Sequence, residues 1–311
     1  MEISVNDDWS PLEGKVAVVT GGGGDIGSAY AKGLARAGAA VVINDLGVTL
    51  DGTTEGGASR AERAVTEIAD SGGTAVLNSC DISNWSESHD LLETTLDQFG
   101  RVDILINNAG IIRDRMLVNM SEQDWDDVVR VHLKGTFCTS RHFAAHWRGL
   151  ARGGKEVDAR ILNTTSAAGL YGNVGQANYG AAKAGIAAFS LIAAAELGQY
   201  GIAVNSIRPT ALTRMTADVD PGLDRSLATN PESRSPSSLA PFAIWICTDE
   251  ARGITGRTFE VADERISMAE GWTHGPEARS EGVPWDARTL GEIVLPLLQA
   301  AAVAVPVLGA R

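Results

Sequence analysis

Along the chain, short unbroken apolar runs rich in β-branched residues alternate with longer stretches of helical periodicity. The runs are Lys15 to Thr20, Ala40 to Asn44, Thr74 to Cys80, Val102 to Asn107, Arg160 to Thr165, Ile202 to Ile207 and Thr258 to Val261. Lacking polar alternation, they predict strands buried on both faces, as in a parallel sheet. The intervening periodicity predicts helices over Ser28–Ala37, Arg60–Ser71, Asn84–Phe99, Gln123–Trp147, Tyr179–Gln199 and Ser238–Cys247. Ser121, with Asp124 three residues on, marks a capping-box start for the long fourth helix. This alternation admits one α/β domain over residues 12–262, a doubly wound parallel sheet with right-handed crossovers. Pro209 is expected to break the sixth strand, and the Pro/Ser-rich stretch of about 210–236 to form a substrate lid at its carboxyl end. Residues 263–311 form a C-terminal extension. Its apolar end, Ile293 to Leu308, contains Pro296, Gln299 and Pro306, is too short to span a bilayer, and is expected to pack on the domain or an oligomer interface.

The first strand runs directly into Gly21-Gly-Gly-Gly-Asp-Ile-Gly27 and then a helix. Glycines in that context let backbone N–H groups approach a pyrophosphate at the helix N-terminus. Asp45 ends the second strand, eighteen residues after Gly27, where a carboxylate accepts from a ribose diol and repels a 2′-phosphate, so NAD is expected over NADP. Asp81, after the third strand, is placed either to touch an adenine ring or to cap the next helix. The amides of Asn107-Asn108-Ala109-Gly110 suit a strand end facing a cofactor.

Ser166 follows the fifth strand by one residue, thirteen residues before Tyr179, and Lys183 lies four beyond Tyr179. On a helix, Tyr179 and Lys183 share a face, and an ammonium near a phenol favours the phenolate. Tyrosine's usual pKa of about 10 makes such help necessary for acid/base work at neutral pH. By itself the dyad is a weak pattern that more often marks an ordinary helix face.

Composition narrows the classes. With 26 Lys and Arg against 39 Asp and Glu, the net charge of −13 disfavours nucleic acid or an anionic membrane as partner. Three widely spaced cysteines, Cys80, Cys138 and Cys247, and an acidic leader lacking targeting features point to a reduced, cytoplasmic setting. His142 and His146 have metal-pair spacing but no evident third ligand, so no metal is expected.

Taken together, Thr20-Gly21 with Gly27, Asn107 to Gly110, Ser166 with Tyr179 and Lys183, and Pro209 resemble the short-chain dehydrogenase/reductase family over roughly residues 12–262. Asn44 to Gly47, Ile112 to Met116, Val131 to Gly135, Tyr171-Gly172-Asn173 and Gly175 to Tyr179 resemble more closely its (3R)-hydroxyacyl-CoA dehydrogenase branch, with multifunctional enzymes of the 17-beta-hydroxysteroid dehydrogenase type 4 kind. The resemblance implies a Rossmann-like fold, with Tyr179 as acid/base, Lys183 as its cation and a ribose ligand, and Ser166 as donor to the substrate oxygen. It places His132 where many members have a relay asparagine. It implies NAD contacts from Gly21, Asp25, Ile26, Gly27, Asp45, Asp81, Ile82, Asn108, Ala109, Gly110, Tyr179, Lys183, Pro209 and Thr213. Three positions depart from the family pattern: Asp25 replaces a glycine in the phosphate loop, Thr210 replaces a glycine after Pro209, and Arg214 stands where a nicotinamide-contacting threonine is usual.

The resulting expectation is an NAD-dependent oxidoreductase oxidising a secondary alcohol, on a (3R)-3-hydroxyacyl-CoA or a steroid-type substrate. A steroid or polyketide ketoreductase and a non-catalytic NAD-sensing scaffold are the alternatives. Arg113, Arg115 and Arg214 are candidates for coenzyme A phosphates or for salt bridges to Asp114 and Asp218. The Ala-rich face of residues 181–195 is either core or the seam of a homodimer or homotetramer.

Overall fold

The predicted runs become strands of a single sheet in the computed structural model, which describes residues 9–47, 58–213, 235–262, 265–279, 287–301 and 307–309. The strands are β1 Val16–Thr20, β2 Ala40–Asn44, β3 Thr74–Asn78, β4 Ile104–Asn107, β5 Ala159–Thr164, β6 Ile202–Thr210, β7 Thr258–Ala262 and β8 Arg265–Met268. Their order is β3-β2-β1-β4-β5-β6-β7-β8. The order reverses between β1 and β4, and the crevice at the carboxyl ends of these strands is where such sheets bind ligands.

Around the sheet lie α1 Asp25–Arg36, α2 Ala58–Asp70, α3 Trp85–Phe99, α4 Glu122–Val129, α5 Gly135–Arg152, α6 Ala167–Tyr171, α7 Ala177–Leu197, α8 Ala240–Trp245 and α9 Leu290–Ala300. Leu34, Ile68 and Phe242 of α1, α2 and α8 fill one core with Val19, Ile43 and Ile106. Leu91, Phe143 and Ala193 of α3, α5 and α7 fill the other with Val18, Leu105 and Val204. Two buried layers explain the unbroken apolar runs of the central strands β1, β4 and β5, which are buried on both faces, whereas the edge strands β3 and β8 are partly exposed.

The structure corrects several expectations. The sheet is not wholly parallel: β8 runs antiparallel to β7, Ala262 pairing with Arg265. Pro209 does not break β6, which continues to Thr210 by pairing Pro209 with Val261. Its pairing with β5 ends at Ile207, so one side of β6 has no ladder there and a missing N–H is tolerated. The predicted fourth helix is α4 and α5 joined by a π-helical turn, Arg130–Lys134, whose extra residue per turn changes which side chains face inward. α3 is capped by Asn84, whose side chain accepts from Ser86 and Glu87 N–H, and not by Asp81.

The apolar C-terminal helix α9 has no fully buried residue in the single chain, and Leu295 and Leu298 are 60% and 65% exposed. Farther on, Leu308 is held by the domain, Val174 N–H donating to Leu308 O at 2.9 Å and Leu308 N–H to Gly172 O at 3.2 Å. Most of the expected lid, with Arg214 and Asp218, lies outside the described residues.

Candidate active site

The loop after β1 is built so closely that side chains would fill it. Gly21 has φ +64°, and a Cβ there would sit 2.7 Å from Ala109 Cα; one on Gly27 would run into Gly21 O. Thr20 locks the adjoining strand end, its Oγ1 accepting from Asn108 N–H at 3.0 Å and Ala109 N–H at 3.1 Å. Asn108 Nδ2 in turn donates to Thr20 O and Gly21 O, at 3.2 and 3.3 Å. No side chain caps the N-terminus of α1, where Gly24 is the N-cap and Asp25 stands in the first turn. A narrow glycine cradle ending on a helix N-terminus fits a pyrophosphate.

Asp45 is at this cradle but already employed. Its Oδ2 accepts from Gly23 N–H and its Oδ1 from Gly47 N–H, both at 2.8 Å. Asp81 accepts from Ser83 N–H and Oγ and pairs with Arg130 at 3.3 Å, so its carboxylate fixes the loop containing buried Ile82. Asn107 is not turned to a ligand. It is buried, donating to Ser140 Oγ at 3.0 Å and Asn163 Oδ1 at 2.9 Å, the residue opposite it in the β4–β5 register. Asn163 continues to Ser190 Oγ at 2.9 Å, tying β4, β5, α5 and α7 together. The signal of this network was an asparagine near the end of each of two adjoining apolar strands.

Ser166 caps α6, a short helix the periodicity missed, by accepting from Ala168 N–H at 3.3 Å. Tyr179 and Lys183 lie on α7, which starts two residues earlier than expected. The buried Lys183 ammonium donates to Thr164 O at 2.7 Å, while Lys183 O accepts from Thr165 Oγ1 at 2.8 Å. Lys183 Nζ lies 5.6 Å from the centre of the Tyr179 ring. The expected stabilisation of the phenolate is not the dominant effect. Burial raises the Tyr179 pKa above its usual value, opposed by hydrogen bonding to Ser166 and reinforced by the charge of Asp114. Burial likewise brings the Lys183 pKa down to about 7. Both groups are held nearer their neutral forms because desolvation penalises either charge.

The π-helical turn carries His132 into the site. The ring is 1% exposed, with Nε2 3.1 Å from Ile111 N and 2.8 Å from Ile111 O. Its Nδ1 is buried without a partner. Burial, then the charge of Lys183, lowers its pKa to about 3 against the opposing backbone hydrogen bond of Ile111. A Cβ on Gly110 would collide with this ring.

Arg113 does not pair with Asp114; its guanidinium faces Asp127 at 3.4 Å. Asp114 Oδ2 instead accepts from Gln176 Nε2 at 2.7 Å. A further group escaped the sequence reading: Tyr171 Oη donates to Glu260 Oε1 at 2.8 Å, and Arg208 lies 3.7 Å from the same carboxylate. It braces α6 against the ends of β6 and β7, the latter pair carrying Pro209 at the carboxyl edge. Thr213, early in the expected lid, is the last residue described there before residue 235.

A doubly wound sheet with a glycine cradle and a Ser/Tyr/Lys cluster at its carboxyl edge defines an oxidoreductase using a nicotinamide dinucleotide, NAD(P). The short chain dehydrogenase family model matches residues 15–223, and the chain belongs to that family. It is 42% identical over 285 residues to the hydroxyacyl-CoA dehydrogenase ChsB1 of Mycobacterium tuberculosis, covering 90% of this chain and 87% of that protein. It is 40% identical over 287 residues to the peroxisomal multifunctional enzyme type 2 of Mus musculus, spanning 92% of this chain but only 35% of that longer protein. A crystal structure of a short chain dehydrogenase from Mycobacterium avium superposes with a TM-score of 0.85 at 46% identity, covering 96% of this chain and 99% of that one.

Proposed function

We infer that the protein is an NAD-dependent dehydrogenase that converts a secondary alcohol to a ketone, with a (3R)-3-hydroxyacyl-CoA as its substrate class. The observation that carries the reaction type is the gathering of Ser166, Tyr179 and Lys183 beside the glycine cradle. The name of the mycobacterial relative, a hydroxyacyl-CoA dehydrogenase, supports the acyl-CoA class over a free steroid.

Gly21, Asp25, Ile26, Gly27, Asp45, Asp81, Ile82, Asn108, Ala109, Gly110, Pro209 and Thr213 are the residues proposed to hold the dinucleotide, with Lys183 and Tyr179 at its nicotinamide end. When bound, the nicotinamide supplies the hydride acceptor. Ser166 Oγ holds the substrate oxygen, and Tyr179 Oη, once its own proton has passed to solvent and it stands as the phenolate near Lys183, receives the hydroxyl proton as the carbonyl forms. Lys183, anchored on Thr164 O, sets the electrostatic environment of that phenol. His132 is assigned a bracing part beside Tyr179, because its Nε2 is engaged by Ile111 and its buried ring resists protonation. Asp45 favours NAD through its charge at the ribose end of the cradle.

The exposed apolar side of α7, including Leu191 at 49% and Ile192 at 60%, supports a homo-oligomeric enzyme. Formation of NADH from NAD with a panel of (3R)-hydroxyacyl-CoA thioesters, hydroxysteroids and small alcohols tests the reading. Turnover on the thioesters is expected. Activity confined to steroids would replace the substrate class, and none on any panel would overturn the assignment.

A further inference from the structure

The helix that presents Ser166 is too short to hold itself. α6 is a single turn with Ser166 as its N-cap, and Gly169 and Leu170 N–H both return to Ser166 O at 3.0 Å. One turn fixes several backbone angles for few hydrogen bonds, so tertiary contacts must impose it. Two glycines make the first such contact. A Cβ on Gly169 would lie 2.6 Å from Ala184 N and Lys183 C, and one on Gly180 2.9 Å from Ala168 O, so α6 lies flush on α7, the helix carrying Tyr179 and Lys183. Close packing of this kind brings the two helices together but is not directional. The directional contact stands at the far end of the turn, where Tyr171 Oη donates to Glu260 Oε1 at 2.8 Å. Burial, then the hydrogen bond and charge of Glu260, raise the Tyr171 pKa against the opposing charges of Arg208 and Arg265, so the phenol remains the donor at neutral pH.

Glu260 is itself fixed. It stands opposite Arg208 in the β6–β7 register, its Oε2 3.7 Å from Arg208 Nε, while Arg208 Nη1 donates to Thr210 Oγ1 at 2.6 Å. The Glu260 and Arg208 side chains are only 12% and 11% exposed. An ion pair so removed from water adds little net stability, because desolvation offsets the attraction; fixing one geometry is the best-attested use of such a pair. We propose that Tyr171, anchored on the Glu260–Arg208 pair, is the positioning residue for Ser166: it ties α6 to the sheet edge and so sets where the Ser166 hydroxyl stands relative to Tyr179. This role rests on Ser166 being the donor to the substrate oxygen, and it requires no contact between Tyr171 and substrate.

A double-mutant cycle on the full chain tests it, comparing wild type, Tyr171→Phe, Ser166→Ala and the double variant on the alcohol that the substrate panel selects, with thermal unfolding to measure the folded fraction. Tyr171→Phe keeps the ring and removes the tether. Turnover is expected to fall about ten- to a hundredfold, the scale of displacing a reacting group by about 1 Å, with the KM for NAD unaltered. In the Ser166→Ala background the same substitution is expected to change single-turnover rates less than about twofold, because residues that act as a unit are not additive. If Tyr171→Phe does not fold, Glu260→Gln takes its place in the cycle, with a smaller fall expected because a neutral acceptor makes a weaker bond. Unaltered turnover in the tether variant, an equal fold-loss in both serine backgrounds, or a rise in substrate KM alone overturns the proposal. Near-normal turnover of Ser166→Ala removes the role assigned to the serine and this one with it. A crippled Ser166→Ala enzyme on which the tether substitution acts additively removes this one only, so the two failures are distinguishable.

Discussion

His132 stands edge-on to Tyr179, their ring centroids 5.1 Å apart and the planes at 87°. An edge-to-face pair of this kind fixes the phenol's lateral position without using its hydroxyl. The other side of the imidazole rests against Gly110, where only a hydrogen leaves room for the ring. Gly110→Ala is therefore expected to destabilise the fold by about 1–3 kcal/mol, the usual cost of overpacking a core. Turnover should fall more than cofactor affinity. Denaturant unfolding and steady-state kinetics measure the two effects, and an alanine variant of unaltered stability would disprove the close contact.

Tyr179→Phe removes the proposed proton acceptor while keeping the ring that His132 faces. Turnover is expected to fall about 10²–10⁴-fold, the usual range for a positioned acid/base, with NAD binding retained. Single-turnover kinetics with calorimetry separates the two quantities. Near-normal turnover would remove the mechanism.

Stability should depend on pH through His132 and Lys183 in two separate windows. Each has a folded pKa below its unfolded value, so the unfolded chain binds the extra proton and stability rises with pH between the two values. For His132 that window runs from about 3 up to 6.5; its stabilising part is lost as pH falls through it. For Lys183 the window runs from about 7 up to 10.5, stability increasing toward the alkaline side. The slope is at most about 1.4 kcal/mol per pH unit for one group. Lys183→Met should flatten the alkaline window and, by removing a charge that helps lower the His132 pKa, narrow the acid one, whereas His132→Asn should flatten the acid window alone, as read by thermal unfolding across pH. Identical pH profiles for all three proteins would contradict both assignments.

Asp45 is expected to make NAD the preferred cofactor, and Asp45→Ala should narrow the gap to NADP. Because Asp45 also accepts from Gly23 and Gly47 N–H, that variant should weaken NAD binding too, by loosening the cradle. Comparable catalytic efficiency of the wild type with both cofactors would refute this role.

Asp25 is tested by a smaller change. If its side chain orders the loop preceded by Gly22, Gly23 and Gly24, Asp25→Gly should weaken NAD binding or leave it level. If its charge opposes the pyrophosphate, the glycine variant should bind more tightly. Calorimetry with NAD decides, and the ordering role is the expected one.

The sequence by itself determined the architecture and singled out the candidate reacting groups. Strands buried on both faces must be apolar throughout, and helices against them must show a stripe, so the order of elements was legible as pattern. A glycine loop between strand and helix, and Tyr179 four residues before Lys183, are local arrangements that need no knowledge of distant contacts. What only the tertiary structure decided depends on residues far apart in the chain. Pro209 stays in β6 because β5 has already ended beside it. His132 reaches the site through a π-helical turn, and its partner Ile111 lies on another segment. The protonation preferences of Tyr179 and Lys183 follow from burial, a property of the assembled fold: local spacing suggested mutual charge stabilisation, whereas the loss of surrounding water opposes both charges. The same holds for Tyr171, Glu260 and Arg208, which no sequence spacing links and which meet only where three elements end together.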